Sequence, residues 1–400
     1  MKLSKELMGK IERDAKNNLK RKKLLKRANI YLHVEELPAK KKLRSPLKDL
    51  DIPRKSALVF ADLAPEFNWG HPCKHMLYDT DKGRLYKEID AEFPPTEFFK
   101  RTDKFRAIQM PIKPRAPVKL RRSRLKPLPS ISKRYLEAIK KVLVGFRGIR
   151  YAILFAGMSH NRHTNDLEFL YRTLVDIYNY NPANIYVLNY DGTINYQEPP
   201  DEGIGNWPGD NTAYQMPVND QGTKAALEAT FDDLATKIRQ VDSLFIHTNN
   251  HGGGPPNIDE ATLCCYPDWD AMTVTEFAAK LAELPAFKTL IVMMEQCHSG
   301  GFQNPILTNS PATNTHFAAA CEENKSSIGG ANFDPFALDW IGAITGQYPD
   351  AEGLDQEVDT SEDGRISVTE AFIYANDVKH NFDTPVTDDQ PNDIGKKLFL

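Results

Sequence analysis

From Arg150 onward the sequence repeats one pattern: a short run of consecutive apolar residues, then a longer stretch with helical periodicity. Runs at 150–156 (RYAILFA), 185–190 (IYVLNY), 243–248 (SLFIHT) and 289–294 (TLIVMM), with a further candidate at 316–321 (HFAAAC), have the unbroken apolar character of strands buried on both faces. Helices fit between and after them at about 165–179, 221–240, 273–284 and 333–345. This alternation predicts an α/β fold with a mostly parallel, two-sided central sheet. Ligands in such sheets sit at the carboxyl ends of the strands, so the residues directly after each run are where chemistry is expected.

The first third has a different character. Residues 1–150 hold 39 of the 51 Lys and Arg but only 17 of the 54 Asp and Glu, a net +22 that leaves −25 for 151–400. Charges of this size predict attraction between the two parts. Residues 1–50, with Lys20-Arg21-Lys22-Lys23, Lys40-Lys41-Lys42 and a helical face at Leu3, Leu7 and Ile11, are expected to form a basic N-terminal arm, or a pro-segment docked on the acidic part. Residues 51–130 are read as a small β-hairpin region (ALVFAD, HMLYD, a DKG turn, RLYKEI) followed by a basic, Pro-rich linker over 101–132. A boundary near 130 makes 131–400 the main domain. The basic residues contain no nucleic-acid recognition module and few aromatics, so nucleic acid is not an expected partner.

Five cysteines, at 73, 264, 265, 297 and 321, have neither the density nor the pairing of a disulfide scaffold. No apolar stretch reaches 18 residues, and the charged opening has no hydrophobic segment behind it. Reduced thiols in the cytoplasm, away from membranes, are the expectation.

Two of the strand ends carry reactive residues. The third run is followed by Thr248-Asn249-Asn250-His251-Gly252-Gly253-Gly254, and the fourth by Glu295-Gln296-Cys297-His298-Ser299-Gly300-Gly301-Phe302. A thiol becomes a strong nucleophile when a neighbouring imidazole takes its proton, and adjacent glycines leave backbone N–H groups for an oxyanion. An isolated Cys is more often a small buried hydrophobe, but the shared sheet edge and the glycine flanks favour the reactive reading.

Together these residues resemble the cysteine peptidases of the caspase-hemoglobinase fold (clan CD), most closely the legumain-like C13 branch. The legumain form Glu-x-Cys-x-Ser-Gly is matched by Glu295-Gln296-Cys297-His298-Ser299-Gly300, the His-Gly strand end by His251-Gly252, and the Ala-Gly followed by Arg-His-x-x-Asp by Ala156-Gly157 and Arg162-His163-Thr164-Asn165-Asp166. The resemblance covers about 150–345 and implies a three-layer caspase-like fold and a cysteine endopeptidase acting on proteins or peptides. It further implies Cys297 as nucleophile, His251 as its acid and base partner, and the Gly252 and Cys297 amides as oxyanion donors. The pocket residues it implies are Arg162, His163, Glu295, Asp339 in Leu338-Asp339-Trp340, and Ser326 or Ser327, giving cleavage after Asn or Asp. Related families with acidic pockets cleave after Arg or Lys, the alternative specificity. A catalytically silent, calcium-responsive interaction module on the same fold is the second alternative, and retention of both Cys and His argues against it. In one respect the chain departs from the family: where legumain-like enzymes have, two residues before the Arg, an Asn that helps orient the catalytic His, this chain has His160, with Asn161 one place later.

A last motif lies near the C-terminus. In residues 359–370, Asp359, Ser361, Asp363, the Arg365 carbonyl, Ser367 and Glu370 occupy the ligand positions of an EF-hand loop around Gly364, and TEAFIYAND continues from it as a helix. Calcium is expected there, with three carboxylates implying an affinity of ~10⁻⁵ to 10⁻³ M. The dyad chemistry itself requires no cofactor.

Overall fold

Leu3, Leu7 and Ile11 mark one helical face, and the helix they predict continues well past them as α1 (Lys5–Arg21), which buries Ile11, Ala15 and Leu19. Ser4 caps it by accepting from Leu7 N (3.2 Å), and Lys20 and Arg21 in the last turn complement the dipole. In this computed structural model the described residues are 2–43, 50–65, 72–91, 94–95, 98, 104–111, 148–195, 205–256, 258–267, 270–349, 353–378 and 383–400. They fall into two units, Met1–Ala116 and Pro117–Leu400.

The first unit contains β1 (Asn29–His33), β2 (Lys42–Leu43), β3 (Leu50–Asp51), β4 (Ser56–Asp62), β5 (Cys73–Asp79), β6 (Leu85–Ala91) and β7 (Phe105–Gln109). Five of them form an antiparallel sheet in the order β6-β5-β4-β1-β7. α1 covers one face, packing Ile11, Ala15 and Leu19 with Ile30, Leu32, Val59 and Met76. The expected hairpin is β5–β6, turned at Gly83 (φ +61°).

Two expectations are corrected here. Residues 1–50 are not an arm separate from the hairpin region, because β1 lies inside the sheet between β4 and β7. The five-residue strand NIYLH sits in a Lys-rich surrounding, and composition averaged over the segment hides it. The start of the expected linker is likewise ordered into the sheet, with His33 opposite Phe105 and Leu32 opposite Arg106. The rest of that linker and the boundary near 130 lie outside the described residues.

In the second unit the apolar runs are strands: β8 (Arg150–Ala156), β9 (Ile185–Asn189), β10 (Ser243–Thr248), then β11 (Gly252–Gly253), β12 (Thr262–Cys265), β13 (Asp270–Thr273), and β14 (Phe287–Met294), β15 (Ala312–Ala319) and β16 (Val386–Gln390). The central sheet runs β16-β15-β14-β10-β8-β9, parallel except for β16 at its edge. β11 to β13 form a small antiparallel sheet beside it. The helices are α2 (Asn161–Arg172), which runs on into a π turn over Thr173–Ile177, α3 (Lys224–Lys237), α4 (Val274–Ala282), α5 (Gln303–Asn309), α6 (Pro335–Thr345) and α7 (Val368–Asp377).

Alternation along β8 shows why the unit has three layers. Ala152 and Leu154 join Leu167, Leu170, Trp340 and Tyr374 from α2, α6 and α7 on one face, while Ile153 and Phe155 join Phe231, Phe277 and Ile306 from α3, α4 and α5 on the other. The fold is therefore a mixed α/β one with a mostly parallel sheet between two helical layers. α2 begins four residues before the expected 165. His160 is extended there (φ −107°, ψ 170°), and its N–H donates to His163 Nδ1 (3.2 Å), a cap that the usual Ser, Thr, Asp or Asn signal does not announce.

Candidate active site

Parallel pairing of β10 with β14 sets Thr248 opposite Met294, so the two chains leave the sheet at one level. Glu295 N donates to Thr248 O (2.9 Å), and Thr248 Oγ1 donates to Gln296 Oε1 (2.6 Å), extending the match past the strand ends. A Cβ on Gly252 would run into the carbonyl oxygen of Cys297, so glycine is what allows these two backbones to touch. A Cβ on Gly254 would lie 2.6 Å from the His298 ring. The glycine run is thus a packing surface for residues 297–298. His298 is left-handed (φ 62°), held by its N–H on Lys325 O (2.8 Å) and its Nδ1–H on Glu323 O (2.6 Å).

Cys297 is fully buried, with Sγ 3.7 Å from Ser327 Oγ and 3.9 Å from Ser327 O. The His251 ring packs edge-to-face with His160 (centroids 4.7 Å apart, 85°) and His163 (5.2 Å, 75°). The ring nitrogen of His163 that accepts from His160 N carries no proton, so the proton is on Nε2, 3.5 Å from Asp334 Oδ2.

Arg162 Nε lies 2.8 Å from Asp334 Oδ1, with its guanidinium against Gly329. Asp334 N donates to Asp166 Oδ2 (3.0 Å), which also accepts from Asn249 Nδ2 (2.6 Å). Glu295 Oε2 accepts from Ala337 N (2.7 Å) in the first turn of α6, and Asp383 Oδ1 from Ile328 N (2.7 Å). Burial, then the neighbouring carboxylates Asp334, Asp383 and Asp166, push the Glu295 carboxyl far up. Asp166 and Asp383 rise for the same first reason, and Asp334 is raised to about 6 by burial although Arg162 opposes it.

Around the strand ends Cys297 meets Gly252 and Ser327, and His251 meets His163, while Arg162 is linked to Glu295 through the carboxylate cluster. Asp339, the other expected pocket carboxylate, lies close enough to Asp383 to help burial raise that carboxyl. It accepts from Tyr348 OH (2.9 Å), which also meets Tyr374 OH (2.8 Å), whereas the carboxylate against Arg162 is Asp334. The sequence signal for Asp334 is an Asp directly before Pro335 at a helix start, the pattern of an N-cap, which marks the beginning of α6 and says nothing of an arginine partner. Asn161 turns away, donating to Ala331 O (3.2 Å) and accepting from Arg162 N (2.8 Å).

Residues 150–343 match the model of the Peptidase C13 family. This segment belongs to the peptidase C13 family. The C13 segment runs from β8 nearly to the end of α6 and contains both strand-end motifs and the Arg162–Asp334 pair, so the chain carries a cysteine peptidase domain of the legumain type. No curated protein matches the chain. Among solved structures, a protein from Geobacter sulfurreducens is similar at 13% identity with a TM-score of 0.39, covering 60% of this chain and 93% of that one. No helix among the described residues is long and apolar enough to cross a membrane.

Beyond the C13 segment, loop 359–370 closes on itself. Asp359 Oδ2 accepts from Gly364 N (2.7 Å), Asp363 pairs with Arg365 (2.9 Å), and Glu370 accepts from the Ser361 and Ser367 amides (2.9 Å each) as the N-terminal box of α7. Among the described residues no group of three or more His, Cys, Asp or Glu is placed to hold a metal ion. Calcium here rests on the sequence pattern alone, and an entering ion has to displace the Asp363–Arg365 pair. The expected result is a rise in Tm on adding millimolar calcium that Glu370→Gln removes, each variant compared with itself without calcium. A wild type with no calcium shift and no heat of binding leaves the loop as a self-closed turn.

Proposed function

We propose that the C13 segment hydrolyses peptide bonds by attack of Cys297 Sγ on the scissile carbonyl, with His251 taking the thiol proton and passing it to the leaving amine. Water then releases the thioester, and the Gly252 and Cys297 amides are the assigned oxyanion donors. The observation that carries this reading is the backbone contact between Gly252 and Cys297, which locks the two strand ends together.

Specificity is assigned to Arg162 and the carboxylates around it, with Asn preferred at P1. An Asn side chain has an oxygen to accept from a guanidinium and an NH₂ to donate to a carboxylate, and Arg162–Asp334 offers both. An ionised Asp instead adds negative charge to a cluster of Glu295, Asp166, Asp334 and Asp383. Its cleavage relative to Asn is therefore expected to fall as pH rises through about 6, where Asp334 ionises.

The test is a cleavage profile of a peptide library incubated with the full chain, with and without iodoacetamide. Alkylator-sensitive cleavage after Asn, then Asp, is the expected result. A profile dominated by large apolar P1 residues rejects the pocket. The chain contains its own control for the Arg/Lys alternative, because residues 104–160 include no Asn or Asp while 112–147 include 12 Lys and Arg. Self-cleavage within 112–147 marks the basic specificity.

A further inference from the structure

His298 stands directly after the proposed nucleophile in the left-handed region (φ 62°, ψ 15°), a conformation that a residue other than glycine keeps only where its surroundings impose it. We propose that His298 is the positioning residue for Cys297: its ring, anchored on the Glu323 carbonyl, holds the turn that seats the thiol between Gly252 and Ser327. The inference rests on the assignment of Cys297 as the nucleophile.

The turn is gripped from the segment that follows β15. His298 N donates to Lys325 O (2.8 Å) and its Nδ1–H to Glu323 O (2.6 Å), so backbone and side chain of one residue hold the same short stretch. Gly300 N donates to Cys321 O (2.8 Å), and Gly301 N to His298 O (3.0 Å). The ring also packs on the glycine run, where a Cβ on Gly254 would lie 2.6 Å from it. His298 thus joins the segments 251–254, 297–301 and 321–327.

Backbone and side chain of Cys297 both depend on that clamp. A left-handed residue redirects the chain, and here the Cys297 carbonyl is left against Gly252. Two residues beyond Lys325, Ser327 meets Cys297 Sγ through its Oγ (3.7 Å) and its carbonyl (3.9 Å). Burial holds the His298 imidazole below its usual range although the Glu323 carbonyl opposes it, so the ring donates as a neutral group. The neighbouring thiols Cys321 and Cys264 are pushed up by burial, with Cys297 acting in the same direction, and stay protonated when Cys297 reacts.

The experiment compares the full-length wild type with His298→Asn, His298→Gly and His298→Leu. Asn tolerates left-handed backbone and carries Nδ2 as many bonds from the backbone as Nδ1 of His, so it keeps the donor. Gly accepts the same backbone with no side chain, and Leu fills the space without a donor. The readouts are kcat and KM on a peptide the wild type cleaves, the rate of iodoacetamide alkylation at Cys297 at pH 7 followed by peptide mapping, and Tm. Asn is expected to stay within a few-fold of wild-type kcat. Gly and Leu are expected to lower kcat by about 10–100-fold at little-changed KM, because small misplacement of a reacting group is costly in rate, and to slow alkylation as the thiol loses its activation. Wild-type kcat in Gly or Leu overturns the inference while leaving the dyad intact. An Asn variant that loses as much as those two overturns it as well, because the donor is then not what acts. Faster alkylation in Gly and Leu, or failure of both to fold, also overturns it, since a loosened or collapsed site explains the loss. A wild type that hydrolyses no peptide, or whose hydrolysis iodoacetamide leaves untouched, refutes the nucleophile assignment and this inference together.

Discussion

Cys297→Ala and His251→Ala are each expected to lower peptide hydrolysis by roughly 10³-fold or more, and the double variant to be scarcely worse than either single one. The physical reason is that neither group acts alone. A buried thiol without a proton acceptor stays protonated and is a poor nucleophile, and an imidazole without the thiol has no bond-forming partner. Cys297 is fully buried beside Ser327, away from bulk water that could take the proton instead. Steady-state kinetics on one peptide, with Tm measured in parallel to confirm folding, make the check. Near-normal turnover in either folded single variant, or losses that multiply in the double, removes the shared mechanism.

The second large effect is expected at Arg162→Ala. It takes a guanidinium from a buried set of carboxylates, leaving Asp334 facing Asp166, Glu295 and Asp383 without that counter-charge. Breaking one side of a buried pair costs about 3–5 kcal/mol, so Tm falls markedly, and cleavage after Asn falls with it by ~10²-fold. The sign of the pH dependence comes from Asp334. Its folded carboxyl, already raised to about 6, rises further without Arg162, and a group raised above its unfolded value loses stabilisation as pH climbs through the folded value. The stability deficit of the variant is therefore larger at pH 8 than at pH 5. Adding Asp334→Asn should recover much of the stability but not the Asn cleavage, since the pocket still lacks its donor. Recovery of both, or a deficit that grows toward acid pH, contradicts this account.

Local pattern carried far in the C-terminal unit. The runs RYAILFA, SLFIHT and TLIVMM are β8, β10 and much of β14, because a strand sandwiched between helical layers has to be apolar on both faces. The same logic misled in the first third, where Asn29–His33 is a sheet strand in a stretch whose lysines made it look like an arm. There the helix covers one face of an antiparallel sheet, a pairing between segments far apart in sequence that no local average records.

The sequence alone determined the chemistry available at the two sheet ends: His251-Gly252 and Glu295-Gln296-Cys297 come directly after apolar runs, and parallel strands deliver the residues beyond their carboxyl ends to one edge. Only the tertiary structure decided which partners those residues meet. Asp334, which residue spacing did not single out, pairs with Arg162 because the N-cap of α6 faces the start of α2, while Asp339, one turn and a half further on, meets Tyr348 just beyond α6, which in turn meets Tyr374 of α7. His160 rather than Asn161 reaches His251, because the extended residue before a helix and the first residue within it point in different directions. Side-chain direction depends on backbone angles set by long-range packing, and that dependence is what residue spacing cannot express.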